Sequence, residues 1–153
     1  MKSPSNQEEH PYEYRRESAL VEDFIRHLAV TSPWGSVKVM IEFFYARGRT
    51  DVVALGDGGE LIAFEAKLSR WRDALHQAYR NRCFAHRTYV VLPQAAAETA
   101  VQHEAEFRRR GVGLVVVSSQ GVREALDAEW SAPWQEWLSQ IAASKILGET
   151  DVA

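Results

Sequence analysis

The sequence predicts an α/β sandwich, a mixed β-sheet with helices on both faces. Three observations lead there. Residues 37 to 67 hold three β-branched and aromatic runs separated by glycine-rich turns, which read as a meander. The chain then alternates amphipathic segments with short apolar runs, the pattern of strand-helix-strand units. Its 153 residues, 46% hydrophobic and 25% charged, match one globular domain with a single core.

Residues 1–14 are polar and without periodicity, and are read as a loose arm before one domain spanning 15–148. A helix is predicted from about Arg16 to Ala29, with Leu20, Val21, Phe24, Ile25 and Leu28 as its apolar stripe. Glu17 falls inside that stripe, whereas Glu22 and Asp23 are expected to point away. Ser32-Pro-Trp-Gly35 breaks the helix. Strands follow at Val37–Tyr45, Asp51–Leu55 and Glu60–Lys67, with turns at Ala46-Arg-Gly-Arg49 and Gly56-Asp-Gly-Gly59.

Trp71 to Phe84 reads as a helix with Trp71, Ala74, Leu75 and Ala78 inward, and Arg87 to Leu92 as a strand stopped by Pro93. Gln94 to Arg110 is expected to be helical, closed by Gly111, and Gly113 to Val117 to be a buried strand. A further helix is expected from about Val122. An amphipathic helix marked by Trp134, Trp137, Leu138 and Ile141 opens near Pro133, so 121–148 is predicted as a helical extension of a core at 16–93.

Composition narrows the function. No run approaches the roughly 18 apolar residues of a membrane span. The start, MKSPSNQEEHPYEYRRE, has no apolar segment of a secretory signal, so a cytoplasmic protein is expected. One cysteine, Cys83, excludes an intrachain disulfide and reads as a small core residue. Five scattered histidines show no zinc-ligand spacing. A net charge of -3 argues against nucleic-acid binding by bulk charge, yet residues 47 to 87 hold eight Lys/Arg against five acids.

The chemistry concentrates in RTDVVALGDGGELIAFEAKLS, Arg49 to Ser69. Strand alternation puts Leu61, Ala63, Glu65 and Lys67 on one face. A three-residue loop, Asp57-Gly58-Gly59, with Gly59 left-handed, pairs Leu55 with Leu61, Val53 with Ala63 and Asp51 with Glu65. Two carboxylates opposed on a half-buried sheet repel, and burying them unpaired costs roughly several kcal/mol each. Mg²⁺, which takes one or two carboxylates and keeps waters, offsets that cost. Lys67 on the same face is then suited to orient a hydrolytic water or to stabilise charge on a phosphate.

Asp51, then Glu65-Ala66-Lys67 at the end of an apolar strand, resembles the PD-(D/E)xK nucleases, which include type II restriction endonucleases and Holliday-junction resolvases. The resemblance covers about Glu17 to Pro93. It implies a restriction endonuclease-like three-layer sandwich with an αβββαβ core. It also implies Mg²⁺ or Mn²⁺ held by Asp51, Glu65 and the main-chain carbonyl of Ala66, with Lys67 assisting water. Glu17 matches a further acid on the first helix, and Gln77 a glutamine on the helix after the Lys strand. Thr50 stands where the motif's Pro would be, a position expected to carry no chemistry.

The reading that results is a Mg²⁺-dependent endonuclease that hydrolyses DNA phosphodiesters, with Asp51, Glu65, Lys67 and Gln77 at the catalytic site. Arg49, Arg70, Arg72, Arg80 and Arg82 are the candidate phosphate contacts. The alternative is a catalytically idle module of the same fold that binds nucleic acid or a partner protein. Sequence does not separate DNA from RNA, and it leaves a homodimer open. Trp130, Trp134 and Trp137 read as core or as a subunit contact rather than as base-stacking platforms.

Overall fold

The computed structural model describes residues 14–148. Its elements are α1 (Glu17–Val30), β1 (Val37–Tyr45), β2 (Gly48–Gly56), β3 (Leu61–Ala66), α2 (Trp71–Arg80), β4 (Arg87–Pro93), α3 (Gln94–Ala100), α4 (Glu104–Arg110), β5 (Gly113–Ser118), β6 (Gly121–Leu126) and α5 (Glu136–Ile146). The six strands form one sheet in chain order. β1, β2 and β3 are antiparallel, β4 and β5 continue parallel to β3, and β6 returns antiparallel to β5. This is the predicted mixed α/β sheet with helices flanking it. Among the described residues no helix is long and apolar enough to cross a membrane.

Alternation on the strands divides the core. Val52, Ala54, Ile62, Phe64, Tyr89, Val91, Val115 and Val117 face α1, packing on Leu20, Phe24 and Leu28. The opposite face holds Val90, Leu92, Leu114 and Val116 beneath α2, α3 and α4. On that face α5 covers the β1–β2 end, where Leu138 and Ala142 meet Phe43, Val53, Leu55 and Cys83. The buried thiol is thus core, as expected.

Several expectations are corrected. The segment from Val122 is a strand, not a helix. Val122, Ala125 and Leu126 are spaced for a helical turn, but β5 would otherwise leave its backbone groups unpaired at a sheet edge. Gly121, at φ 103, turns the chain back to pair with them. The extension at 121–148 is therefore part strand and part helix. The predicted Trp71–Phe84 helix stops at Arg80 and tightens into a 3₁₀ turn over Asn81–Cys83, and another 3₁₀ turn, Val101–His103, divides Gln94–Arg110.

Asp23 does not point away from the core. It is buried, and Tyr14 Oη, Arg26 and His27 gather around its carboxylate. Burial is the largest single effect on its pKa and raises it, but these partners together outweigh burial and lower it. The polar arm at 1–14 thus contributes Tyr14 to the fold, while 1–13 lies outside the described residues. Trp130, Trp134 and Trp137 are not core residues either, since all three are exposed.

Gly113 shows how tightly the parallel strands pack. A Cβ there would lie 2.4 Å from Tyr89 Cε1 and 2.6 Å from the Leu126 carbonyl oxygen. Gly113→Ala is expected to destabilise the protein by about 1–3 kcal/mol, whereas Gly58→Ala, with nothing within 4 Å of its Cβ, is expected to change stability by less than about 0.5 kcal/mol. Denaturant titration of both variants checks the contrast.

Candidate metal and nuclease site

The hairpin register puts the two acids of the motif together. The ladder runs Leu55 to Leu61, Val53 to Ala63 and Val52 to Phe64. Gly59, at φ 84, makes the turn, and Gly56 N–H donates to the Glu60 carbonyl at 2.9 Å. One residue beyond the ladder, Asp51 replaces a backbone bond with a side-chain one: its Oδ2 accepts the Ala66 N–H at 2.8 Å. That hydrogen bond ties Asp51 to the end of β3, beside Glu65.

Glu65 is 1% exposed. Burial and then the Asp51 charge push its carboxyl up to about 8, and a side-chain hydrogen bond with Asp51 adds to that rise. A hydrogen bond from Asn81 and the charge of Arg80 act in the opposite direction. Without a cation the pair therefore holds a proton at neutral pH.

Asn81 is the residue of this candidate site that sequence reasoning missed. It is fully buried, and its Oδ1 accepts two hydrogen bonds at 2.8 Å, from Tyr45 Oη and Thr50 Oγ1. Two donors on that oxygen fix the amide's orientation, so Nδ2 must face Glu65 Oε1, 2.9 Å away. Burial holds Tyr45 up to about 12, which keeps the phenol a donor. Thr50 is thus not a silent replacement for the motif's Pro, because its hydroxyl orients the group that holds Glu65. In HQAYRNRC an asparagine ending a helical pattern reads as a stop signal, which concealed this role.

Thr50 and Tyr45 reach Asn81 because the outer hairpin loses strict alternation. Glu42, opposite Asp51 in the β1–β2 register, adopts φ 57. Met40 and Phe43, three residues apart, consequently both pack beneath α5, followed by Tyr45. A non-glycine residue held left-handed inside a strand is strained, and this one also lines the cleft beside Asp51. The cleft, of about 300 Å³, is bordered by Glu17, Ser18, Val21, Glu22, Ile41, Glu42, Arg49 and Asp51.

The other expected residues fall around this centre unevenly. Lys67 Nζ lies 3.6 Å from Glu17 Oε1, which brings the first turn of α1 to the end of β3. Glu17 is exposed there rather than part of the apolar stripe. Gln77, half-buried one helical turn before Asn81, makes no side-chain hydrogen bond among the described residues. Arg49 bridges Asp51 Oδ1 at 3.4 Å and Glu42 at 3.6 Å. Arg80 Nη1 donates to the Arg47 carbonyl, over Gly48.

The remaining arginines are engaged elsewhere. Arg70 pairs with Asp73. Arg72 binds both oxygens of Glu106 and stacks on Trp71. Arg82 donates to the Arg110 carbonyl between the rings of Tyr79 and Trp134.

Asp51 and Glu65 are hard oxygen donors, and a divalent cation between them would offset the burial and the mutual repulsion that raise the Glu65 pKa. In that respect the pair fits Mg²⁺ or Mn²⁺. Among the described residues no group of three or more His, Cys, Asp or Glu side chains is placed to hold a metal ion. Glu17 reaches the site through Lys67 instead.

No protein-family profile and no curated protein matches the sequence. Solved structures do resemble the fold. The SPO1766 protein of unknown function from Silicibacter pomeroyi aligns at 20% identity and a TM-score of 0.63, covering 88% of this chain and 86% of that one. A repair endonuclease from Pyrococcus abyssi aligns at 17% identity and 0.47, over 69% of this chain and 48% of its own. Pyrococcus furiosus SfsA, in complex with Ca²⁺, aligns at 11% and 0.42, over 73% and 62%. The first of these shares the overall fold.

Two outcomes test the electrostatics of the pair. The folded state keeps a proton on Glu65 that the unfolded chain loses above its ordinary value of 4.5. Stability in a metal chelator should therefore be full below that value and fall as pH rises through about 8. Glu65→Gln, which still accepts from Asn81, should flatten that fall in thermal melts. Asn81→Ala strips partners from Glu65, Tyr45 and Thr50 together and should cost on the order of 3 kcal/mol in denaturant titration.

Proposed function

We propose that the protein is a divalent-metal-dependent nuclease of the PD-(D/E)xK kind, with a restriction endonuclease-like sandwich, that hydrolyses DNA phosphodiesters. The observation that supports this reading best is the meeting of Asp51 and Glu65 at the end of β3. There, Ala66 N–H anchors one carboxylate and Asn81 the other. Such an arrangement is costly as a purely structural feature, since an amide and an apolar residue would fill the same space without repulsion.

In this reading Asp51, Glu65 and the Ala66 carbonyl would hold Mg²⁺ or Mn²⁺. The bound cation would supply a water of lowered pKa and charge stabilisation on the attacked phosphate. Asn81 keeps Glu65 Oε1 directed by a hydrogen bond to it, and Thr50 and Tyr45 lock Asn81. Lys67 stands at the same strand end, steered by Glu17, where its ammonium can donate to a phosphate oxygen or to the oxygen of a water. Gln77 lies one turn from Asn81 on the same side of α2 and would add a polar contact to substrate. Arg49 and Arg80 are the arginines beside the carboxylates, and Arg70 is the most exposed of the outer set.

A second reading, an idle module that binds nucleic acid or a partner protein, has its own supporting observation. Arg49 already lies on Asp51, and Arg72 and Arg82 are occupied by protein groups rather than free for phosphates. Calorimetry with Mn²⁺ separates the two readings, because a working site binds the ion and loses it in Asp51→Asn.

Incubation with supercoiled, linear, single-stranded and branched DNA, and with RNA, in Mg²⁺ or Mn²⁺ tests the activity directly. Cleavage of DNA that drops about 100-fold or more in Lys67→Ala is the expected result. An uncut panel, or Lys67→Ala cutting at the wild-type rate, would refute the nuclease assignment.

A further inference from the structure

A second cleft opens at the other end of β3 from the carboxylates. Its volume is about 430 Å³, within the roughly 300–1,000 Å³ of small-molecule sites. The Gly59 turn, His86 and Trp130 border it, and the first turns of α5 contribute Glu136, Ser139 and Gln140. His86 marks the end concerned, because its backbone N–H donates to the carbonyl of Leu61, the first residue of β3, at 2.9 Å. Glu65 lies further along the same strand, roughly 13 Å away.

The walls are set before anything enters. Leu61 N–H donates to His86 Nδ1 at 3.0 Å and holds the imidazole in place. Trp130 lies on that ring, with centroids 5.6 Å apart and planes 27° from parallel, and 54% of it stays exposed. Ser131 N–H donates to the His86 carbonyl at 2.9 Å and Gln135 N–H to the Cys83 carbonyl at 2.8 Å. The segment carrying Trp130 is thereby strapped along residues 82–86, so a ligand need not order it.

The polar groups of the cleft are unused. His86 Nε2 and the side chains of Glu136, Ser139 and Gln140 bond to no group among the described residues. Ser139 is 8% exposed, on a face where α5 otherwise buries Leu138 and Ala142. A hydroxyl buried there without a protein partner needs one from the cleft.

The chemistry of the walls selects the occupant. Among the described residues no lysine or arginine lines the cleft, and its one charge is Glu136, which disfavours phosphates and other anions. Burial pushes the His86 imidazole below its ordinary value, so the ring is neutral. With Nδ1 accepting from Leu61, the proton sits on Nε2 and makes it a donor. A simple cation would leave that donor unmatched. A planar group with donors and acceptors along one edge satisfies both walls and stacks on Trp130.

We propose that this cleft binds a nucleobase, guanine in preference to the others, stacked on Trp130 with its edge toward Glu136. Among the common bases only guanine offers two neighbouring N–H groups, N1–H and N2–H, to one carboxylate, while its O6 accepts from a donor such as His86 Nε2–H. The base arrives as a free nucleoside or within a single strand of nucleic acid.

Calorimetry of the full chain with guanosine, adenosine, cytidine and uridine tests this. Nucleosides have no phosphodiester bond, so the result is separate from the nuclease reading. Guanosine should bind most tightly. Trp130→Ala should weaken it about tenfold or more, and Glu136→Gln should erase most of the preference over adenosine. Trp137→Ala, a comparably exposed tryptophan outside the cleft, should change nothing. Circular dichroism confirms that each variant folds. Competition with a short guanine-containing single strand identifies the source: displacement of guanosine supports a strand, and its absence supports the free nucleoside. No binding of any nucleoside at millimolar concentration overturns the inference. So does adenosine binding more tightly than guanosine, or binding that Trp130→Ala leaves undiminished.

Discussion

A carboxyl group buried at the end of a central strand survives only if its surroundings supply hydrogen bonds and compensate its charge, and Glu65 organises this end of the fold in that way. Asn81 donates to it, Asp51 stands beside it, and Arg80 acts on it through its field. Because Asn81 must donate to Glu65, its oxygen needs donors of its own, and Tyr45 and Thr50 provide them. The 3₁₀ turn after α2 and the outer hairpin are thereby joined to β3 through polar groups that cannot be left single without a desolvation penalty.

The same constraint explains the irregularity of β1. A strictly alternating hairpin would send Thr50 to the α1 side along with Val52. The left-handed Glu42 and the altered pleat across from it turn Phe43, Tyr45 and Thr50 toward α5 and Asn81 instead. Local strain at one residue is offset by hydrogen bonds and packing at three others. Beyond the hairpin the consequence is a bent, mostly apolar strand next to the carboxylates.

Much of the site was legible because strands have a short, rigid period. Alternation in Leu61 to Lys67 and the loop Asp57-Gly58-Gly59 were enough to oppose Asp51 and Glu65, and the ladder has that register. Helix α1 was equally legible in its apolar stripe, but Asp23 was not. Its burial depends on Tyr14, nine residues away, and on His27 and Arg26 one turn along, whose contacts no local pattern announces. Asn81 and Thr50 were hidden for a related reason: 31 residues separate them, and each alone is an ordinary helix-stop or strand residue. The strand at Gly121–Leu126 was misread as helix because its spacing suits both, and the unpaired edge of β5 settles the choice.

What the sequence by itself determined is the part governed by periodicity and turn chemistry: a mixed α/β order, the hairpin register, and two acids and a lysine gathered at one strand end. Tertiary structure decided which polar groups hold those acids and which arginines remain near them. Those outcomes depend on hydrogen bonds and ion pairs between segments far apart in the chain. Their energy is set by burial and mutual distance, neither of which exists until the sheet has closed against its helices.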